Sequence, residues 1–403
     1  MTIIDAPPAP ARTFPAPTRP DDDRFVALAA EVGAAAEVTA AEHDRDATFV
    51  TEAYDVMRRS GYLRLAVPAE LGGLGATTRQ VCYAQAELAR HDGSTALAAT
   101  MHQYIALMQG FRWRKGAADA ETTLRRVADD GIVIATSGGS DWLWPTTVAV
   151  PDGDGYRVHG RKSFCSQSPE ATAIATCAVV GEPGDGAEVI HFAVPLAAPG
   201  VRLEETWDTL GMRGTASHDL VFDDVAVAAA SVTGRRPYGE LGAPLMLAAA
   251  HFAPVAAATY PGIAAGARDV AVTGALAGAR GPQPLAGHPR VQRLVGLMDA
   301  HLRAGWWALL GALDEVGGGD GTAIGPDPAT LATLMLAKRQ AVTGAIAAVD
   351  LAMEASGGRA YFRRSPLERA FRDVRAGTFH PLTPEATLTY AGKLALGDPG
   401  ATE

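Results

Sequence analysis

The sequence predicts a mixed α and β protein whose parts follow one another as α, then β, then α, and three stretches of contrasting texture predict it. From Asp22 to about Ala128, Ala, Leu, Arg and Glu dominate and apolar residues return every three or four positions, as in VCYAQAELARHDG, the spacing of helices with one buried face. From Gly131 the chain turns to β-branched runs cut by Gly, Pro and Asp: IVIATS, TTVAV, GYRVHGRKSF, IATCAVV, VIHFAVPL, VRLEETW and HDLVFDDVAV. These read as the strands of a sandwich or barrel. After about Pro237 long Ala/Leu-rich helical text resumes and ends near Leu396.

Taken in order, residues 1–21 are rich in Pro and Ala, with no apolar core of signal-peptide length, and read as a flexible tail. Residues 22–130 form an α-helical domain. Its helices break at VPAELGGLGATT (67–78), where Pro68 and three glycines force a turn. Residues 131–236 form the β domain and 237–397 a second helical domain. With 403 residues, 48% of them hydrophobic, the chain can bury sizeable cores. A net charge of -10 without a Lys/Arg block argues against nucleic acid and anionic membranes, and favours small-molecule partners. Cys82, Cys165 and Cys177 have no metal-ligand spacing and no even disulfide framework. That suits a cytoplasmic protein with no structural metal. No run reaches membrane-spanning length without interruption.

Several motifs stand in order along the chain: ELGGLG (70–75), SGGSD (137–141), GRKSFCS (160–166), WDTLGMRGTASHDLVFDDV (207–225) and GGRAYFRRSPLERAFRDVRAGTFHP (357–381). Together, from about Asp22 to Gly397, they resemble the acyl-CoA dehydrogenase superfamily. The resemblance implies an N-terminal α-helical domain, a middle antiparallel β-barrel or sandwich that contacts flavin, and a C-terminal four-helix bundle. It also implies a homo-oligomer, a tetramer or its dimeric half, in which each flavin site is completed by a neighbour. Carried onto this sequence, Thr136 and Ser140 lie at the flavin's polar edge and phosphate side, Phe164 at its face and Ser166 near N5. Arg280 and Gln292 face the flavin of an adjacent subunit. Two departures loosen the site. The family's Thr-Glu-Pro-Gly-Ala-Gly-Ser-Asp is shortened here to Thr136–Asp141, and the Phe-Gly that follows the arginine is missing after Arg280. The cofactor is accordingly FAD or FMN, weakly held or supplied already reduced.

A third departure bears on the reaction. In the family's dehydrogenases a Glu stands eight residues after the Arg-Asp pair and removes the substrate α-proton. Counting from Arg372-Asp373, that position is Pro381, preceded by His380. Proton abstraction from a thioester needs a carboxylate, with donors at the carbonyl oxygen; proline has neither a carboxylate nor an N–H. The family's second Glu position falls at or beside His251-Phe252, again without a Glu. The resemblance therefore points to the two-component flavin monooxygenases of the superfamily: aromatic hydroxylases, dibenzothiophene monooxygenase and amino-sugar nitrososynthases. These accept reduced flavin from a separate reductase, add O₂ at flavin C4a and pass one oxygen to a small organic substrate. On that branch His380, His102 and Ser166 are the catalytic candidates, a near-neutral His serving as proton acceptor or donor. Read without the resemblance, a lone His on an Ala-rich helix such as His102 is more often a satisfied core or interface histidine, and His380 is equally a helix C-terminal cap. His218 and His251 are secondary candidates. Two alternatives stay open: an acyl-CoA dehydrogenase with a non-standard base, and a flavin-fold scaffold without catalysis.

Overall fold

Five helices lead the computed structural model, which describes residues 16–17, 19–137, 141–184 and 186–397. They are α1 (Asp23–Asp46), α2 (Thr51–Ser60), α3 (Thr78–His91), α4 (Gly93–Arg114) and α5 (Ala118–Asp129). The glycine-rich break before α3 ends in a capping box. The Thr77 hydroxyl accepts from the Gln80 N–H, and the Gln80 side chain accepts from the Thr77 N–H, so the helix starts at Thr78. Asp92 caps α4 through the Thr95 N–H. Every residue of α4 from Gly93 to Leu107 is buried, which makes it the central helix of this layer and explains its lack of a polar face.

The strands form one eight-stranded sheet: β1 (Ile134–Thr136), β2 (Val148–Asp152), β3 (Gly155–Cys165), β4 (Ala173–Val180), β5 (Glu188–Pro195), β6 (Val201–Glu204), β7 (His218–Val227) and β8 (Val232–Pro237). Its order is β6-β7-β3-β2-β4-β5-β8, with β1 also paired to β4. The purely antiparallel arrangement expected from the sequence is corrected at one place, because β1 and β2 both run parallel to β4. β1 pairs with the first half of β4 (Thr136 opposite Ala175) and β2 with its second half (Val148 opposite Val179). They are two pieces of one strand course, interrupted between Thr136 and Val148.

The second helical layer comprises α6 (Ala243–Ala277), α7 (Pro289–Val316), α8 (Pro328–Ser356) and α10 (Pro384–Ala395), with the short α9 (Pro366–Asp373) before the last. The architecture is the α–β–α arrangement with a C-terminal bundle that the resemblance implies. α6 crosses α3 backbone to backbone. A Cβ at Gly262 or Gly266 would come within 2.3 Å of the Ala86 or Arg90 carbonyl oxygen, so only glycine allows this approach. One apolar core joins both helical layers, and a second fills the sheet. α6 continues across Pro254 and Pro261, so the uninterrupted-run criterion misses it. By length and composition it could cross a membrane, but 72% of its most apolar window is buried inside the protein.

Candidate active site

A cavity of about 480 Å³ opens where α4, α6, the sheet and the segment after α9 meet. The first wall comes from β3. Its ladder with β7 loses register between Lys162 and Cys165, and at that irregularity Phe164 takes a φ of 59° and stands 52% exposed in the cavity. Of the six non-glycine residues with positive φ among the described residues, four lie here: Phe164, Gln167, Met212 and Ala216. Strain of this kind persists where surrounding packing over-determines it. Trp207 meets Phe164 edge-on, with centroids 6.0 Å apart and planes at 84°.

Behind these rings runs a chain of hydroxyls. Ser166 Oγ lies 2.8 Å from Ser217 Oγ, which lies 2.7 Å from Thr215 Oγ1. Thr215 in turn donates to the Met212 carbonyl at 2.9 Å. That carbonyl also accepts from Trp207 Nε1 at 3.0 Å and from the Thr215 N–H at 3.1 Å, so either polarity of the hydroxyl chain leaves it satisfied. Ser166 can therefore present a donor or an acceptor to the cavity. Aromatic faces beside hydroxyls, in a space of this size, fit a flavin ring with its apolar faces and polar edge. Thr136, Ser137, Phe164, Ser166 and Trp207 are the residues that would hold it.

The segment 205–212, between β6 and β7, forms one side of the cavity without regular structure. It is pinned by the Arg-Asp pair of α9. The Arg372 guanidinium donates to the Leu210 carbonyl at 3.0 Å and is itself fixed by bidentate bonds to Asp44 and Glu368. Asp373 accepts from the Met212 N–H at 2.6 Å. Burial pushes its carboxyl up to about 7. Gly211 presses on the same helix end, where a Cβ would sit 2.5 Å from the Arg372 carbonyl carbon.

The reacting end holds no carboxylate. Pro381 lines the cavity, and of the pair His251-Phe252, at or beside which the second Glu position falls, Phe252 lines it too. The His380 ring stacks on Phe252 at 5.9 Å and 14°, with Tyr260 edge-on at 5.8 Å. Burial, reinforced by the Lys338 ammonium, pushes His380 down to about 3. This corrects the near-neutral histidine expected from the sequence: the ring is neutral at physiological pH. Lys338 is 2% exposed and donates to the carbonyls of His380 and Leu382 at 3.0 and 2.9 Å, clamping the turn that carries the ring. Burial lowers Lys338 itself to about 7.

A second cavity of about 380 Å³ shares Tyr104, Thr136, Ser137 and Trp142 with the first. Its remaining lining mixes apolar residues with the polar groups of Gln109, Arg112, Thr123, Arg126, Thr176, His191 and Thr233, and with Asp141, whose carboxylate is paired with Lys162. Trp142 stands between the two spaces, packed edge-on against Phe252 at 5.6 Å.

The chain matches the acyl-CoA dehydrogenase N-terminal domain over residues 21–113, the middle domain over 135–225 and the C-terminal domain over 254–385. It belongs to the acyl-CoA dehydrogenase superfamily. It is 33% identical to the amino sugar nitrososynthase of Streptomyces peucetius, covering 94% of this chain and 95% of that one. To the L-evernosamine nitrososynthase of a Micromonospora it is 34% identical, over 95% and 92%. Among solved structures, KijD3 in complex with FMN and dTDP-3-amino-2,3,6-trideoxy-4-keto-3-methyl-D-glucose superposes with a TM-score of 0.85 at 28% identity, covering 97% of each chain. A nitrososynthase from Micromonospora carbonacea var. africana gives 0.81 at 30% identity, over 96% and 100%. With this kinship and a cavity that lacks the dehydrogenase base, the chain is a flavin-dependent monooxygenase of the superfamily rather than a dehydrogenase.

Of the residues singled out by their match to the superfamily motifs, the fold gathers Thr136, Phe164, Ser166 and His380 around one cavity. His102 is not among them. Its Nε2 donates to the Leu63 carbonyl at 2.6 Å and its Nδ1 accepts from the Ile134 N–H at 3.2 Å. No ring nitrogen remains for proton transfer, so His102 is a structural tie rather than a catalytic group. His251 is likewise buried, donating from Nδ1 to the Leu247 carbonyl at 2.9 Å. Gln292 lines neither cavity and binds the Ala286 carbonyl at 3.0 Å; Arg280 lies on a two-residue strand, β9 (Ala279–Arg280). Ser140 falls outside the described residues. Trp142, Trp207, Ser217 and Lys338 were not singled out in the sequence as site residues. Trp207 and Ser217 stand within the 207–225 motif, whereas a lysine in MLAKRQ reads as a solvated helix face.

Proposed function

We propose that this chain oxidises the amine of an amino sugar carried on a nucleoside diphosphate, using reduced FMN or FAD and O₂. One observation carries the reading: the cavity is lined by aromatic rings, hydroxyls and a neutral His380, with Arg372 and Arg375 but no carboxylate. Such surroundings disfavour an ammonium ion and favour the free amine, whose lone pair is what attacks an electrophilic oxygen. Reduced flavin, when bound, supplies two electrons and activates O₂. The balanced reaction is RNH₂ + O₂ + FMNH₂ → RNHOH + H₂O + FMN. A second round with the same inputs converts RNHOH to RNO with release of two waters. In this scheme His380 accepts a hydrogen bond from the amine, Ser166 meets the flavin edge, and Phe252 and Tyr104 exclude water. The second cavity takes the part of the substrate that does not react. Its mixed polar lining suits a sugar nucleotide, and the kinship with nitrososynthases supports that choice.

The same proposal includes a separate flavin reductase and a homo-oligomer, tetrameric or dimeric. The exposed Trp307 on α7 and Leu336 on α8 support a covered helical face. A cytoplasmic location is part of it, in keeping with three free, buried cysteines. The test is incubation with FMN, a reductase, NADH and a dTDP-amino sugar, followed by mass spectrometry. Gain of one oxygen at nitrogen is expected. NADH consumption that yields only hydrogen peroxide, with every amino-sugar nucleotide offered left intact, overturns the assignment.

A further inference from the structure

Trp207 forms a wall of the cavity although no strand or helix holds it. What fixes its backbone is His218, the first residue of β7. His218 Nδ1 accepts from the N–H groups of both Thr206 and Trp207, at 3.1 Å each. A ring nitrogen that accepts two N–H bonds carries no proton, so the neutral ring bears its hydrogen on Nε2. The backbone of His218 is in turn fixed, opposite Cys165 in the β3–β7 ladder and next to Ser217 of the hydroxyl chain. One side chain thus sets the height of the Trp207 wall relative to the strand that carries Phe164 and Ser166. The other end of the indole is held by its own bond to the Met212 carbonyl, so Trp207 is pinned at backbone and ring.

We propose that His218 is a positioning residue for the flavin cavity, acting through Trp207 by way of the two N–H bonds that its Nδ1 accepts. The proposal rests on the flavin reading of this cavity. It is testable because two uncharged amides mimic the two ring nitrogens separately. Asn places its Oδ1 where Nδ1 stands, and Gln places its amide where Nε2 stands. Only Asn keeps the acceptor for Thr206 and Trp207.

The experiment titrates FMN into the purified apoprotein and reads flavin fluorescence for wild type, His218→Asn, His218→Gln, Trp207→Leu and the Gln/Leu double variant. His218→Asn is expected within about threefold of wild-type affinity and His218→Gln weaker by about tenfold, the size of one lost buried hydrogen-bond pair. Added to Trp207→Leu, the Gln substitution should weaken binding by less than about twofold more, because the two residues act in series. Gln behaving like wild type, Asn as weak as Gln, or additive losses in the double variant would each overturn the proposal. Should His218→Gln fail to fold, His218→Asn decides alone: near-wild-type affinity supports the role and a tenfold loss refutes it. A wild-type protein that binds neither FMN nor FAD removes the flavin reading itself, a result distinct from variants that bind alike.

Discussion

His102 and His380 predict opposite phenotypes. Replacing His102 by Ala strands the Leu63 carbonyl and the Ile134 N–H in the core, at about 1–3 kcal/mol for each group. The melting temperature should fall while turnover per folded molecule stays unchanged. His380→Ala should do the reverse, lowering turnover about tenfold with little change in melting temperature, since one hydrogen bond contributes on that order. Acid stability belongs to the same residues. Burial pushes His102 and His251 down to about 4 and His380 to about 3, while an unfolded histidine titrates near 6.5. Below about pH 6.5 the unfolded chain therefore binds protons that the folded chain refuses, and stability falls with pH; above it these groups contribute no slope. His102 alone accounts for roughly 3 kcal/mol of the loss by pH 4. Melting curves from pH 7 to 4.5 should be shallower for His102→Gln than for wild type, and an identical slope would contradict this. Legibility at this scale was uneven. The replacement of the catalytic Glu by Pro381 could be read directly, because it is a covalent fact. The depression of His380 could not, because it comes from Phe252, Tyr260 and Lys338, brought together from two other helices.

At the scale of elements, α9 and the segment 205–212 behave as one unit. Asp373 accepts from the Met212 N–H with a carboxyl raised to about 7, so a neutral acceptor serves as well. Asp373→Asn should keep both fold and flavin affinity, whereas Asp373→Ala should lose about 1–3 kcal/mol of stability for the stranded N–H. Equal losses in the two would show that the charge matters. Lys338 makes the corresponding tie from α8 to the turn after α9. Lys338→Met removes a costly buried cation together with its two bonds, so stability should change little. Turnover should drop as the His380 turn loosens, and unchanged steady-state kinetics would remove Lys338 from the account. The Arg-Asp pair was conspicuous in the sequence. Its task as the anchor of a wall 160 residues earlier in the chain was not, since no local pattern encodes a long-range bond. The strand course split between β1 and β2 was hidden for the same reason: parallel pairing across an interruption leaves no hairpin signal.

The whole molecule is an α–β–α body whose three parts meet at one cavity, and a second cavity shares Trp142 and Tyr104 with it. That order of layers was plain in the sequence, because helical and strand periodicities change abruptly near Gly131 and Pro237. Where the layers meet depends on glycines such as Gly262, whose close contact with Ala86 only the fold reveals. The central claim is that the chain transfers oxygen from O₂ to its substrate and does not carry out α,β-dehydrogenation. The most direct measurement supplies the protein with FMN, a flavin reductase, NADH, a dTDP-amino sugar and isotopically labelled O₂, and weighs the product. The account predicts one labelled oxygen on the sugar nitrogen. A product that has lost two hydrogens and gained no label, or an acyl-CoA that bleaches the bound flavin without O₂, would contradict it.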